Sequence, residues 1–290
     1  EHLAASRYHK AMRVLLLVCA LSAAPGLASV AVRDDYGGEV VMPTAAQRIV
    51  SLSPHLTELL YAAGAGSLVV GAVEHSDYPA QAKALPRVGS EAGINLEAVL
   101  ARRPDLVVAW PNVVSLKAVN RLAELGLPVF RSEPRSLEDI ARTLERLGVL
   151  AGTRESAQAA ADAFRARRAG LEKRYSGRPK VRVFYQVWER PLQTVNGEHV
   201  ISKVIELCGG ENVFAGLPLI APEVDREALL RASPDVVITG APSARLPAGL
   251  EAWEGRVRSI PAELIQRHTP RILEGAERLC SVLESVRTAR

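Results

Sequence analysis

The sequence lacks the short motifs that identify most enzymes built from tandem α/β domains. It contains no Gly-x-Gly-x-x-Gly after a strand, no phosphate-loop Gly-Lys-Ser/Thr, no Gly-x-Ser-x-Gly and no His-Glu-x-x-His. It has three cysteines but no cluster of cysteine and histidine that would hold zinc. It also has no run of five like charges, and its net charge is only +4. These absences argue against a metal-dependent or nucleotide-dependent enzyme and against a nucleic-acid partner.

What the sequence does have is an ordinary globular composition. Apolar residues make up 48% and charged residues 23% of the 290 positions, with 21 glycines and 18 prolines. Disorder, collagen and a coiled-coil rod are therefore excluded. At roughly 100–200 residues per domain, the length favours two domains and suffices for a sizeable core.

The N-terminal segment predicts export. A basic start at Met12 is followed by the apolar run 14–21 and by the small-residue segment 22–28. This order predicts a signal peptide at residues 12–28, with Ala28 as the last residue before cleavage. The apolar run is too short to span a bilayer.

Alternatives remain open for this segment. Residues 1–11 precede Met12 and are interpreted as upstream sequence. Cys19 raises the question of lipid attachment, but Val18 stands before it where a lipid-attachment site favours Gly, Ala or Ser. A retained amphipathic or core helix is the other alternative to a signal peptide.

Two cysteines remain after the signal peptide, Cys208 and Cys280, each late in an apolar helical pattern. An even pair in an exported chain is the situation in which a disulfide forms and persists. Such a bridge would hold the last helix against the second domain. Zinc would need more ligands than these two cysteines offer.

Apolar runs typical of buried strands alternate with helical patterns through the first half of the mature chain. Continuous apolar strands between helices predict a parallel sheet that is covered on both faces, which is an α/β arrangement. The predicted strands are 48–52, 68–73, 106–110 and, with its turn, 126–130; the predicted helices are 57–64, 96–102, 115–125 and 136–150.

One long helical segment interrupts this alternation. Residues 154–174 contain no glycine or proline before Gly170, and a helix of this length spans ~30 Å, enough to cross from one domain to another. We therefore predict two Rossmann-like α/β lobes, at 46–152 and 178–290, joined by a linking helix at 153–177. The predicted strands of the second lobe are 181–186 and 236–238, and its helices are 201–208, 227–231 and the segment from 270 onward.

An internal repeat relates the two lobes, because residues 95–108 match residues 225–238. Each copy has a capping Asn or Asp, an early glutamate, a short helix, a Pro-Asp turn and a buried strand. Capping and turn chemistry explain most of the repeat. Glu97 and Glu227 either complement the dipoles of their helices or form two equivalent acidic contacts for a partner with two-fold symmetry.

Several further motifs follow one another along residues 46–285. They are Ser-Leu-Ser-Pro at 51–54 with Thr-Glu-Leu at 57–59, Ser-Asp-Tyr-Pro at 76–79, Asn-Leu-Glu at 95–97, Arg-Pro-Asp-Leu-Val at 103–107 and Cys-Gly-Gly-Glu-Asn-Val-Phe at 208–214. Together they resemble the periplasmic cobalamin-binding proteins of ABC uptake systems, which belong to a wider group of receptors for cobalamin, haem and iron–siderophores.

This resemblance implies a monomeric periplasmic receptor with two α/β lobes on a rigid helix. It implies that a corrinoid is held in the inter-lobe cleft without chemistry and without a cofactor, with haem or an iron–siderophore as the alternative ligand. It also implies that Glu97 and Glu227 form salt bridges with arginines of a dimeric ABC permease in the inner membrane, and that Cys208 pairs with Cys280. A purely structural role would leave a two-lobed cleft unexplained.

The resemblance also indicates which residues form the cleft. Trp110 matches an aromatic residue that closes on the corrin ring, while His75 and Glu91 stand where relatives carry Tyr and Trp. Trp188 is a candidate for a second stacking surface from lobe two. Both tryptophans have the alternative of partly buried packing residues, and His75 that of capping a loop. The segment that matches the loop touching the nucleotide side of cobalamin consists of Glu263, Leu264, Ile265, Gln266 and Arg267.

Overall fold

The fold is described from a computed structural model, which covers residues 29–90, 92–112, 115–241, 246 and 250–289. The predicted signal peptide with Cys19, and the candidate cleft residue Glu91, lie outside these residues. The first half contains strands β1 Val30–Arg33, β2 Glu39–Met42, β3 Ile49–Ser51, β4 Val69–Ala72, β5 Gly89–Ser90, β6 Gly93–Ile94, β7 Leu106–Ala109 and β8 Val129–Arg131, and helices α1 Pro54–Ala62, α2 Leu96–Ala101, α3 Leu116–Glu124 and α4 Leu137–Ala151. The second half contains α5 Arg154–Tyr175, α6 Val200–Leu207, α7 Arg226–Ala232, α8 Ala262–Ile265 and α9 Ile272–Thr288, and strands β9 Val181–Gln186, β10 Gly210–Asn212, β11 Val236–Thr239 and β12 Val257–Ser259.

Each half is built around a parallel four-stranded sheet, with the strand order β4-β3-β7-β8 in the first and β10-β9-β11-β12 in the second. Successive side chains of a strand pack on opposite faces of the sheet. In β3 and β7, Ile49 and Leu106 pack in one apolar cluster, whereas Val50 and Val107 pack in another. Both sheet faces are therefore covered, as the continuous apolar runs predicted. The predicted α/β class with two Rossmann-like lobes is confirmed.

Helix α5 joins the two lobes and packs against both. It has 22 residues, so it is ~33 Å long. Its buried side chains recur at helical spacing, at Ala157, Ala161, Phe164, Leu171 and Tyr175. One apolar cluster contains this stripe together with residues of both sheets. The two lobes thus share a core along the helix.

The disulfide is present between Cys208 at the end of α6 and Cys280 in α9, with an S–S distance of 2.05 Å. Both cysteines are fully buried. The bridge attaches the last helix to the second lobe, as predicted. Among the helices of the described residues, none combines the length and the apolar character needed to cross a membrane.

The sequence predicted the central elements better than the marginal ones. Strand β9 has the predicted bounds, whereas residue 68, predicted to begin a strand, ends a short 3₁₀ turn before β4. No pattern predicted the hairpin β1–β2 or the edge strands β10 and β12. These edge strands have three residues each and carry exposed charged side chains, so they lack an apolar run.

Candidate functional site

A cleft of about 530 Å³ lies between the two lobes. Its first wall comes from residues that directly follow β3, β4 and β7, at the carboxyl ends of the parallel strands, where open α/β sheets bind their ligands. Its second wall comes from α8 and the residues after it. The lining residues are Leu52, Ser53, Pro54, Val73, Glu74, His75, Ser90, Ile94, Trp110, Asn112, Ser115, Ala262, Glu263, Gln266 and Arg267.

Five of the predicted ligand-binding residues meet in this cleft: His75, Trp110, Glu263, Gln266 and Arg267. Trp110 is 39% exposed, so a large part of its ring is available for contact. The backbone of His75 is left-handed, with φ at 61°, which is unusual for a residue other than glycine. The structure therefore brings residues of both lobes to one cavity.

Of the other four predicted ligand-binding residues, three do not line this cavity and one is not described. The side chains of Leu264 and Ile265 are buried among apolar residues, because α8 is a single turn that presents its neighbours Glu263 and Gln266 to the cleft. Trp188 is 62% exposed and lies outside the cavity lining. Glu91 is outside the described residues.

The turn after β7 holds Trp110 in place. The Ser115 hydroxyl donates to the Trp110 carbonyl at 2.7 Å, and the Ser115 amide donates to Asn112 Oδ1 at 2.9 Å. The Asn112 amide in turn donates to the Ser115 hydroxyl at 3.0 Å. No sequence pattern singled out these two residues or Ser53 as part of the cleft. Their position just after predicted strands was the signal that would have found them.

Three histidines that no sequence pattern singled out meet at the lobe boundary. His268 lies between His55 of the first lobe and His199 of the second, with ring centroids 6.1 and 5.6 Å away. The rings of His55 and Trp110 make a T-shaped contact, with centroids 5.7 Å apart, which links the cluster to the cleft. Burial lowers the pKa of His55 and His199 to about 4 and that of His268 to about 3. All three rings are therefore neutral at neutral pH.

The guanidinium of Arg267 is already engaged by the first lobe. Its Nη1 donates to Glu58 at 2.7 Å and to Asp77 at 2.8 Å, and its Nη2 donates to the His75 carbonyl at 3.1 Å. Burial raises the pKa of Glu58, while the charge of Arg267 opposes that rise. Gln266, by contrast, donates to the Tyr185 hydroxyl at 3.2 Å and keeps its amide oxygen as an acceptor.

The two repeated glutamates lie on the outer surface, in the first turns of α2 and α7. Neither lines the cleft. Glu97 is exposed, and Glu227 is exposed beside Arg226, whose Nη2 lies 3.1 Å from its carboxylate. The lobes therefore present one glutamate each on equivalent helices.

Comparison with known proteins agrees with this architecture. The profile of the periplasmic binding protein family matches residues 49–256. The chain belongs to the periplasmic binding protein family. This periplasmic binding protein is 36% identical, over 252 residues, to the vitamin B12-binding protein of Vibrio parahaemolyticus, with 84% of this chain and 92% of the relative covered. It is 37% identical, over 248 residues, to the vitamin B12-binding protein of Yersinia pestis, with 84% and 89% covered.

Solved structures resemble this periplasmic binding protein as well. The crystal structure of the periplasmic vitamin B12-binding protein BtuF of Vibrio cholerae has a TM-score of 0.76 at 36% identity, with 83% of this chain and 98% of that chain covered. The periplasmic haem-binding protein RhuT from Roseiflexus has a TM-score of 0.70 at 21% identity, with 83% and 99% covered. The second likeness is one of fold alone.

Proposed function

We propose that this periplasmic binding protein captures cobalamin in its inter-lobe cleft and delivers it to an ABC permease, without turnover. The observation that carries the proposal is the identity of 36% to vitamin B12-binding proteins along nearly their whole length. The cleft supports it, because its two walls come from different lobes and include an exposed tryptophan face.

The lining residues suit a large ring that carries polar side chains. Trp110 offers an aromatic surface for the corrin ring, and Leu52, Val73 and Ile94 offer apolar contact. Gln266 and Glu263 supply polar groups for the amides at the rim of the ring. Because Arg267 is held by two carboxylates, its role is to fix one wall of the cleft more than to pair with a charged ligand.

Spectroscopic titration with cyanocobalamin, haemin and a ferric siderophore tests the proposal, because each chromophore reports its own binding. We expect saturable binding of cyanocobalamin, and weaker binding in a Trp110→Ala variant. Trp188→Ala tests a separate prediction in the same titration: weaker binding in this variant would support Trp188, which lies outside the cavity lining, as a second stacking surface. Absence of saturable cyanocobalamin binding by the native protein would refute the function.

Haem is the second candidate, and His75 is the observation that favours it. This exposed histidine lines the cleft, and imidazole is a common ligand of haem iron. Tight binding of haemin without binding of cyanocobalamin, lost in a His75→Gln variant, would decide for haem.

Delivery requires a docking surface on each lobe. Glu97 and Glu227 supply it in this proposal, because they are exposed at equivalent positions of a duplicated unit. A single receptor can then contact both halves of a dimeric permease. The receptor is expected to be a monomer, which sedimentation analysis tests.

A further inference from the structure

Two sequence motifs of the first lobe, at 51–59 and 76–79, meet the segment 267–271 of the second lobe beside the cleft. Most of their polar residues do not line the cleft. Their contacts give these motifs a role that ligand binding alone does not explain.

Glu58 of α1 is the centre of this junction. Its side chain is only 2% exposed. Arg267 Nη1 donates to it at 2.7 Å, and Arg271 Nη1 lies 3.4 Å from both of its carboxylate oxygens. A buried carboxylate without a partner is strongly unfavourable. Two arginines of the other lobe thus compensate one buried charge of the first.

The same arginines bind a second segment of the first lobe. Arg267 also donates to Asp77 at 2.8 Å and to the His75 carbonyl at 3.1 Å. The guanidinium carbon of Arg271 lies 4.0 Å from the ring centroid of Tyr78, a cation–π contact. Both segments of the first lobe are therefore tied to the same two side chains.

Each half of the junction is itself held in place. In the first lobe, the Thr57 hydroxyl contacts the Ser51 hydroxyl at 2.9 Å and the Ser76 hydroxyl at 3.1 Å, and all three residues are buried. In the second lobe, both arginines precede α9, with Arg271 at its N-cap, and the Cys208–Cys280 disulfide attaches α9 to the end of α6. A rigid contact between two rigid halves restricts how far the lobes can separate.

We propose that Glu58 is the positioning residue of an inter-lobe clasp, formed with Arg267 and Arg271, that sets the width of the ligand-binding cleft. This inference rests on the proposed function, because the cleft is taken as the place where the ligand binds. Glu58 and Arg271 do not line the cleft, so a change at either residue alters its geometry without removing a lining side chain.

The distance between the lobes tests the clasp without any ligand. Spin labels at Glu124→Cys and Glu211→Cys, both exposed, report that distance by pulsed electron resonance, while the native disulfide is buried and stays unlabelled. We expect one narrow distribution of distances in the native background and a broader or shifted one with Glu58→Gln.

Arg271→Gln is the milder variant, for use if Glu58→Gln fails to fold. Arg167→Gln is the control, because it removes the two hydrogen bonds of Arg167 to Glu277 of α9, at 2.8 Å each, and leaves the clasp intact.

Stopped-flow binding of cyanocobalamin measures the consequence. If only about a tenth of the molecules hold the competent cleft, the apparent Kd rises ~ten-fold. We expect this rise for Glu58→Gln and Arg271→Gln, and an unchanged Kd for Arg167→Gln. A folded clasp variant with the native distance distribution, or with an altered distribution and unchanged affinity, would overturn the clasp. A native protein that binds no cyanocobalamin would instead refute the proposed function, and the distances alone would then decide on the clasp.

Discussion

Asn95 and Asp225, 130 positions apart in the sequence, cap equivalent helices of the two lobes. Asn95 Oδ1 accepts the Ala98 amide at 3.0 Å, and Asp225 Oδ1 accepts the Ala228 amide at 2.6 Å. Each cap accepts a backbone N–H of the first turn of its helix. This hydrogen bond does not require Glu97 or Glu227, which lie two positions after the caps. The carboxylates of Glu97 and Glu227 therefore stay at the surface, where Glu227 pairs with the neighbouring Arg226.

We expect the double variant Glu97→Gln, Glu227→Gln to lose permease binding and to keep ligand affinity, because neither glutamate lines the cleft. Each single variant should lose far less, since one lobe still holds. The loss should shrink at high salt, where exposed ion pairs are screened. Receptor–permease affinity in nanodiscs, beside ligand affinity of the free receptor, measures both effects.

The matched control for these glutamates is the exposed pair Glu124→Gln, Glu211→Gln, which changes the net charge equally at other sites of the two lobes. Equal losses in both double variants would mean that general charge, and not a docking contact, attracts the permease. Unchanged permease binding in the Glu97, Glu227 variant would leave these two residues as helix-dipole partners worth a few tenths to about 1 kcal/mol each.

Reduction of the Cys208–Cys280 disulfide should destabilise the second lobe. The bridge closes a loop with a sequence separation of 72, for which chain entropy allows roughly 4 kcal/mol. We expect a lower Tm in the Cys208→Ser, Cys280→Ser variant, and no effect of a reductant on that variant. Reactivity of both thiols in the folded, oxidised protein would contradict the bridge.

The alternation of apolar strands with helices was enough to predict the lobes, because a buried parallel strand needs a continuous apolar run. Leu106 to Ala109 is such a run, and all four residues are buried. Strands β10 and β12 could not be predicted in this way, because β10 contains no apolar side chain and β12 contains only Val257. The hairpin β1–β2 was missed although Val40 and Met42 alternate with exposed residues, since four residues are a weak signal.

The residues of the cleft were predicted from a resemblance, which assigns each position separately. Five of the residues that the resemblance indicated lie in its wall, but a matched segment says nothing about which of its side chains turn inward. Leu264 and Ile265 lie in the matched segment, but their side chains are buried in the core. The partners of Arg267 lie about 190 and 209 positions away, at Asp77 and Glu58, so no local pattern could reveal that its charge is already compensated.

Gly148 is required where α4 meets α5, because a Cβ there would overlap the Ala157 Cβ. Gly→Ala in a helix ordinarily stabilises by roughly 1 kcal/mol. We expect Gly148→Ala instead to lower the free energy of unfolding by about 1–3 kcal/mol, through overpacking. Ala157→Gly in the same chain should restore part of this loss. Gly170→Ala is the control, since its Cβ would meet open space, and it should stabilise; urea unfolding measures all four proteins.

The histidine cluster should make stability fall as the pH drops below about 6.5. In the unfolded chain histidine titrates near pH 6.5, whereas burial lowers the pKa of His268 to about 3 and those of His55 and His199 to about 4. Between these values the unfolded state binds more protons, so the free energy of unfolding rises with pH, by up to ~1.4 kcal/mol per pH unit for each histidine. His268→Gln should flatten this slope between about pH 4 and 6.5, whereas His75→Gln, at an exposed histidine, should retain it. Denaturant unfolding across this range measures the slope, and an equal slope in His268→Gln and the native protein would show that the cluster does not resist protonation.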